Sequence, residues 1–176
     1  MSKAVLATDA GTTNVMSMVA GADGCVLGRS AMPLRRSYPA PGLVEQDPEE
    51  IWSAVTQTID RALEQAGMKP DDLGAIGITG QRSTVIIWER ATGQPLFPLV
   101  SWQDQRGAER SAELLAQGFI TVASTTSAAK MEQILRAIPD GFERMRRGEL
   151  AWGNVDSFIA WRLSDGALHV TDYSNV

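Results

Sequence analysis

Short apolar runs broken by polar, glycine-bearing segments open the chain. Residues 4–8 form the first run, Asp9-Ala10-Gly11 the first break and residues 15–20 the second run, a pattern that predicts strand, tight turn and strand. Ala22-Asp23-Gly24 interrupts again and residues 25–27 resume, so three antiparallel strands are expected at the start. Between positions 32 and 41 the chain carries three prolines and two arginines, which predicts an extended loop. Asp47-Pro48-Glu49-Glu50 then supplies an N-cap residue, a proline at the first helical position and acidic residues in the first turn. Ile51, Trp52, Val55, Ile59, Leu63 and Ala66 follow at helical spacing and Gly67 can end the element. A helix over 48–66 is predicted, with Ile51, Val55, Ile59 and Leu63 buried on one face.

Further on, residues 73–79 and 84–88 are rich in β-branched side chains and predict two strands, separated by the polar Gly80-Gln81-Arg82-Ser83. Ala91-Thr92-Gly93 reads as a turn and residues 99–102 as a short strand. Helices are predicted over 106–117, 128–138 and 155–163. Strands, helix, strands and then helices point to an α/β domain with a mixed sheet. The 176 residues contain no internal repeat, low-complexity tract or linker, and their number suits one domain.

Composition narrows the function classes. The hydrophobic share is 44% and the charged share 21%, ordinary for a soluble globular chain. A formal charge of −5 argues against a protein that grips nucleic acid through its overall field. No apolar run reaches the length that spans a bilayer, and the start Met-Ser-Lys-Ala has no secretory pattern. Cys25 is the single cysteine and cannot form an internal disulfide. These features lead to the expectation of a cytoplasmic protein with neither nucleic acid nor membrane as partner.

Three polar interruptions are candidates for chemistry. Asp9-Ala10-Gly11-Thr12-Thr13-Asn14 offers a glycine turn, hydroxyls and amides for phosphate oxygens, and a carboxylate able to hold a metal's water shell; a purely structural hairpin turn reads equally well. In Gly80-Gln81-Arg82-Ser83-Thr84, the arginine can present a planar fork of donors to substrate hydroxyls, or the segment is a solvated turn. In Trp102-Gln103-Asp104-Gln105-Arg106, the indole can pack on a polyol carbon chain, or belong to the core, with Asp104 and Arg106 as a helix cap or a local ion pair of little weight. His169, the single histidine, lies in an apparent strand and turn and suggests a structural role, not zinc. Arg144, Arg146 and Arg147 read as a solvated helix face.

Taken in order, these segments resemble the FGGY family of carbohydrate kinases, glycerol kinases in particular. Asp9-Ala10-Gly11-Thr12-Thr13 is similar to the family's first phosphate loop, and Gly42-Leu43-Val44-Glu45-Gln46-Asp47-Pro48-Glu49-Glu50-Ile51-Trp52 to the segment before its first long helix. Ile76-Gly77-Ile78-Thr79-Gly80-Gln81-Arg82, Ser101-Trp102-Gln103-Asp104 and His169-Val170-Thr171-Asp172-Tyr173-Ser174-Asn175 resemble later motifs in the right order. Arg147-Gly148-Glu149-Leu150 and Val155-Asp156-Ser157 fit as well. The match runs through nearly the whole chain and is loosest around 118–124.

The resemblance implies a ribonuclease-H-like domain of the actin and Hsp70 ATPase superfamily, its mixed sheet flanked by helices. It implies ATP and Mg2+ as cofactors, a small polyol or sugar as partner, and is compatible with a homo-oligomer. Gly11, Thr12, Thr13 and Asn14 would meet the nucleotide phosphates, with Asp9 near magnesium through water. Arg82, Ser83, Trp102 and Thr125 would line the substrate side. Residues 1–176 would form the family's N-terminal domain short of its end, without the second domain. The general-base aspartate is expected beyond Val176, so no catalytic residue is assigned within the chain and these residues alone are expected to be inactive. Three positions depart from the family: Met16 replaces an arginine directed to phosphates, Ser83 a substrate-binding glutamate and Thr125 a substrate tyrosine. The departures suggest an acceptor other than glycerol, or a sensing protein that keeps the fold without the catalysis.

Overall fold

A computed structural model describes residues 3–119 and 126–175. The chain divides into two compact units, Met1–Arg35 with Glu49–Gly80, and Arg36–Pro48 with Gln81–Val176. Its strands are β1 Ala4–Ala10, β2 Asn14–Ala20, β3 Val26–Pro33, β4 Glu45–Gln46, β5 Leu73–Gly80, β6 Ile86–Glu89, β7 Leu99–Val100 and β8 Leu150–Gly153. Its α-helices are α1 Pro48–Ala66, α2 Ala108–Ala116, α3 Ser127–Ala137, α4 Gly141–Arg146 and α5 Val155–Leu163. No described helix is long and apolar enough to cross a membrane.

The first unit is a four-stranded sheet of order β3-β2-β1-β5. Its first three strands are antiparallel, as expected, while β5 returns parallel to β1, which makes the sheet mixed. Along β1 burial alternates, with Ala4, Leu6, Thr8 and Ala10 inward and Val5, Ala7 and Asp9 outward. The period-two geometry of a strand requires that split. Ala4, Leu6 and Val19 form a core with Ala62 and Leu63 of α1. The buried stripe of α1 runs through Ile51, Ala54, Val55, Thr58, Ala62 and Leu63, a little rotated from the expected one, so Ile59 is only half-buried. Thr58 takes the inward place because its hydroxyl lies 2.9 Å from that of Ser17, which in turn lies 3.0 Å from the Thr8 hydroxyl. This polar line crosses an otherwise apolar contact with its groups satisfied.

Gly28 explains how close that contact is. A Cβ built there would come within 2.1 Å of the Ala62 carbonyl oxygen, so helix backbone lies directly on strand backbone. The third strand runs to Pro33, past the 25–27 expected, because it pairs with β2 as far as Asn14. A proline is tolerated at the end of an edge strand, where its missing N–H interrupts no ladder.

In the second unit, β4 pairs with β7 and β6 with β8, both antiparallel. Val85, Ile87, Val100, Ile134, Leu135, Ile138 and Leu150 make its aliphatic core. Trp88 meets Phe158 and Trp161 edge-on, with ring centroids 5.5 and 5.7 Å away. The predicted helices over 106–117, 128–138 and 155–163 are present as α2, α3 and α5. Two elements, α4 and β8, are too short to carry a readable period. His169 is not in a strand: residues 167–172 are irregular, the ring lies edge-on to Trp88 and Trp161, and Nε2 sits 2.8 Å from the Trp152 carbonyl. In the basic cluster Arg146 and Arg147 are exposed as expected and pair with Glu143 and Glu149, whereas Arg144 is half-buried between Glu89 and Glu149.

Candidate functional site

Residues 9–14, the candidate phosphate loop, sit at the hairpin between β1 and β2. Gly11 donates its N–H to the Asn14 carbonyl at 3.0 Å, and Leu34 donates to the Thr13 carbonyl at 2.9 Å, which ties the turn to the end of β3. Gly11 does not adopt a positive φ, so the expected sharp glycine turn is not the reason for glycine here. Its built Cβ would stand 3.4 Å from the Asn14 carbonyl oxygen, so the missing side chain leaves the mouth of the turn open. Thr13 and Asn14 are exposed and Thr12 half-buried. Asp9 lies outward on β1, paired with Met16 on one side and Thr79 on the other. Met16 is half-buried, and Arg29 on the neighbouring strand directs Nε to its sulfur at 3.1 Å.

Hydroxyls, a side-chain amide and one carboxylate at the end of a hairpin suit the chemistry of phosphate oxygens with a hydrated cation. No group of three or more metal-ligating side chains occurs among the described residues. A magnesium ion carried by nucleotide phosphates needs only one or two carboxylates, so the donor set fits that mode and not an all-protein cage.

Arg82 and Ser83 occupy a turn between β5 and β6 that is pinned on every side. Gln81 donates Nε2 to Gln46 Oε1 at 2.7 Å, and the Thr84 hydroxyl donates to the Gln81 carbonyl at 3.2 Å. Asn154 Oδ1 accepts the Thr84 N–H at 3.0 Å, which takes Thr84 out of the strand expected to begin there. Ser83 has φ +54°, a left-handed conformation that costs a residue bearing Cβ roughly 1–2 kcal/mol. Such a conformation persists only where the surroundings over-determine it. Arg82 is exposed at the apex of this turn.

Trp102 stands on a second turn, directly after β7, and is 42% exposed. That exposure decides against a core role. Two residues on, Asp104 is a buried carboxylate and not the helix cap or local ion pair of little weight that its sequence allowed. It accepts the Val44 N–H at 2.7 Å, the Arg106 N–H at 2.9 Å, Arg106 Nε at 2.8 Å and Arg106 Nη2 at 2.9 Å. Arg106 also reaches Glu45 at 2.6 Å. Burial alone would push the Asp104 carboxyl up, but the hydrogen bonds from Arg106 and Val44 outweigh it and hold the group below its ordinary value. The same contacts raise Arg106 against its own desolvation. Thr125 lies outside the described residues.

One residue of this region carried no expectation. Lys130, in the first turn of α3, has no exposed surface and donates from Nζ to the carbonyls of Ser83 at 2.5 Å and Ser101 at 3.0 Å. Its signal in the sequence is a charged residue in phase with Ile134 and Ile138, on the face of α3 that packs inward.

The hairpin, the parallel return strand and the helices make the mixed α/β fold that the resemblance implies. Residues 4–176 match the N-terminal domain of the FGGY family of carbohydrate kinases. The chain belongs to that family. It is 38% identical to a glycerol kinase of Caldanaerobacter subterraneus subsp. tengcongensis over 99% of its own length and 37% of that protein. It is equally 38% identical to glycerol kinase 2 of Thermotoga maritima, over 98% of the chain and 37% of that relative. The chain thus spans little more than a third of these relatives. In fold it resembles the glycerol kinase of Plasmodium falciparum solved with ADP, with a TM-score of 0.83 and 23% identity over 94% of this chain and 35% of that one. The xylulose kinase of Rhodospirillum rubrum is similar too, with a TM-score of 0.76 and 24% identity over 90% of this chain and 33% of that one.

Proposed function

We propose that this chain is the N-terminal part of a cytoplasmic kinase that moves the γ-phosphoryl group of ATP to a hydroxyl of a polyol or sugar, releasing ADP. The observation that supports the reading is a pair of turns, joined through Lys130, that leave Arg82 and Trp102 exposed. A guanidinium fork donates to adjacent hydroxyls, while an indole face covers the carbon chain between them. Gly11, Thr12, Thr13 and Asn14 would donate to the phosphates, and Asp9 would hold magnesium through its water shell. That cation supplies charge neutralisation for the transferred group. Positioning and electrostatics provide most of the catalysis in this chemistry, so rigid turns are what this half of the reaction needs. The aspartate that takes the acceptor's proton is assigned to the family's later segments, not to these residues.

Ser83 is shorter than glutamate and carries no charge, so the acceptor side has more room and one acceptor fewer. A larger polyol or a sugar fits better than glycerol. The test is ADP release by the full-length gene product with magnesium, ATP and a panel of polyols and sugars. Acceptor-dependent turnover is expected, and Arg82→Ala should lower kcat/KM for the best acceptor by about tenfold to a hundredfold, the loss of one or two charged hydrogen bonds. Acceptor binding without any phosphorylated product would replace the kinase reading with that of a sensing protein, which the loss of charge at Met16 and Ser83 favours.

A further inference from the structure

A lysine ammonium with no exposed surface is expensive, because the charge leaves water. A methionine in its place would fill similar space without burying a charge. Position 130 nonetheless holds the charge, with its Nζ between the carbonyls of Ser83 and Ser101. Those two carbonyls have a particular address. Ser83 immediately follows Arg82, and Ser101 immediately precedes Trp102.

We propose that Lys130 is a positioning residue for acceptor recognition, its ammonium clamping together the two turns that present Arg82 and Trp102. The role rests on the kinase reading above. Ser83 needs such a clamp, since its left-handed φ of +54° must be held by something outside the turn. The start of α3 is built to supply it. Ser127, one turn earlier, donates its hydroxyl to the Thr84 carbonyl at 3.2 Å. Gly107 lets the helix approach, because a Cβ there would stand 3.0 Å from the Lys130 backbone nitrogen and 3.1 Å from Ala129 atoms. Three hydrogen bonds from two residues in the first turn of one helix therefore converge on the two substrate turns.

Burial pulls the Lys130 ammonium down to about 8, with the Asp104 charge opposing the fall and Arg106 adding to it. Asp104 and Arg106 are the charged groups that face it from the second turn. Neither titrates between pH 6 and 9, since the first is held low and the second high. From the first turn Arg82 is exposed, and on its own helix Glu132 is held low by Arg136 and Arg110. Of these groups, Lys130 is the one brought close to pH 8. Loss of its proton removes the charge that holds the carbonyls and loosens both turns.

The experiment compares the full-length gene product with Lys130→Met, which keeps the length and removes the charge, and Lys130→Arg, which keeps the charge. In Lys130→Met the acceptor KM should rise about tenfold or more while the ATP KM stays within about twofold. Lys130→Arg should recover part of that rise. In the wild type the acceptor KM should climb above pH 8, and in Lys130→Met it should be high and flat with pH. An unchanged acceptor KM in Lys130→Met overturns the proposal, as does a fall confined to the amount of active enzyme. Hydrogen exchange provides a readout that needs no activity. The amides of Thr84, Gln103 and Asp104 should lose protection by about tenfold in Lys130→Met, while those of Ile87 and Ala151 change less than threefold. If Lys130→Met does not fold, the same amides in the wild type must lose protection between pH 7 and 9 beyond the intrinsic rate, and constant protection overturns the clamp. If the wild type phosphorylates no acceptor, the kinase reading fails on its own and the exchange pattern still decides whether the turns are clamped.

Discussion

Replacing Asp104 by Asn isolates a buried carboxylate and its hydrogen bonds in the second unit. The carboxylate accepts four hydrogen bonds, one from Val44 and three from Arg106. An asparagine can serve at most the two that reach Oδ1, and its amide nitrogen would then face the Val44 N–H and Arg106 Nη2, donor against donor. Arg106 keeps Glu45 at 2.6 Å, so its charge is not orphaned and the loss falls at the lower end of the range for a broken buried pair, about 3 kcal/mol. At an m-value of about 2 kcal/mol/M, that moves the urea midpoint down by roughly 1.5 M. Tryptophan fluorescence is a suitable probe, since Trp88, Trp102, Trp152 and Trp161 all belong to the unit that contains Asp104. The pH dependence follows from the sign of the shift. Asp104 is held below its unfolded value, so its stabilisation is present above about pH 4 and is lost as pH falls through the folded pKa. The gap between wild type and Asp104→Asn should therefore be full at pH 7 and shrink in acid. A midpoint within about 0.3 M of wild type at pH 7, or a gap that persists unchanged at low pH, would refute the reasoning.

Gly28→Ala should destabilise the first unit by about 2–3 kcal/mol in urea unfolding, because the added methyl meets the α1 backbone and not a side chain that can turn away. Ser17→Ala should cost about 1–2 kcal/mol by the same measurement, since it removes the middle hydroxyl of a buried line and leaves Thr8 with an unmet group. In a substrate panel glycerol should have a lower kcat/KM than at least one longer polyol or sugar, and glycerol as the best acceptor would show that Ser83 does not widen the pocket.

Local pattern alone determined a good part of this protein. The hairpin and third strand, the span of α1 with its proline and acidic start, and the mixed α/β order were legible because each depends on periodicity and turn chemistry within a few residues. The residue types at 9–14, 82 and 102 marked where chemistry could sit. Only the tertiary structure decided which polar residues lie under those positions. Asp104 read as a helix cap or a local ion pair, and becomes a buried anchor because Val44, sixty residues earlier, donates to it. Lys130 carried no expectation, and packing sets its ammonium against carbonyls 47 and 29 residues away. His169 lost its strand to an aromatic cluster with Trp88 and Trp161. Periodicity records which side of an element faces inward, whereas the partner that a buried polar atom finds there is set by long-range packing, and no local window contains both groups.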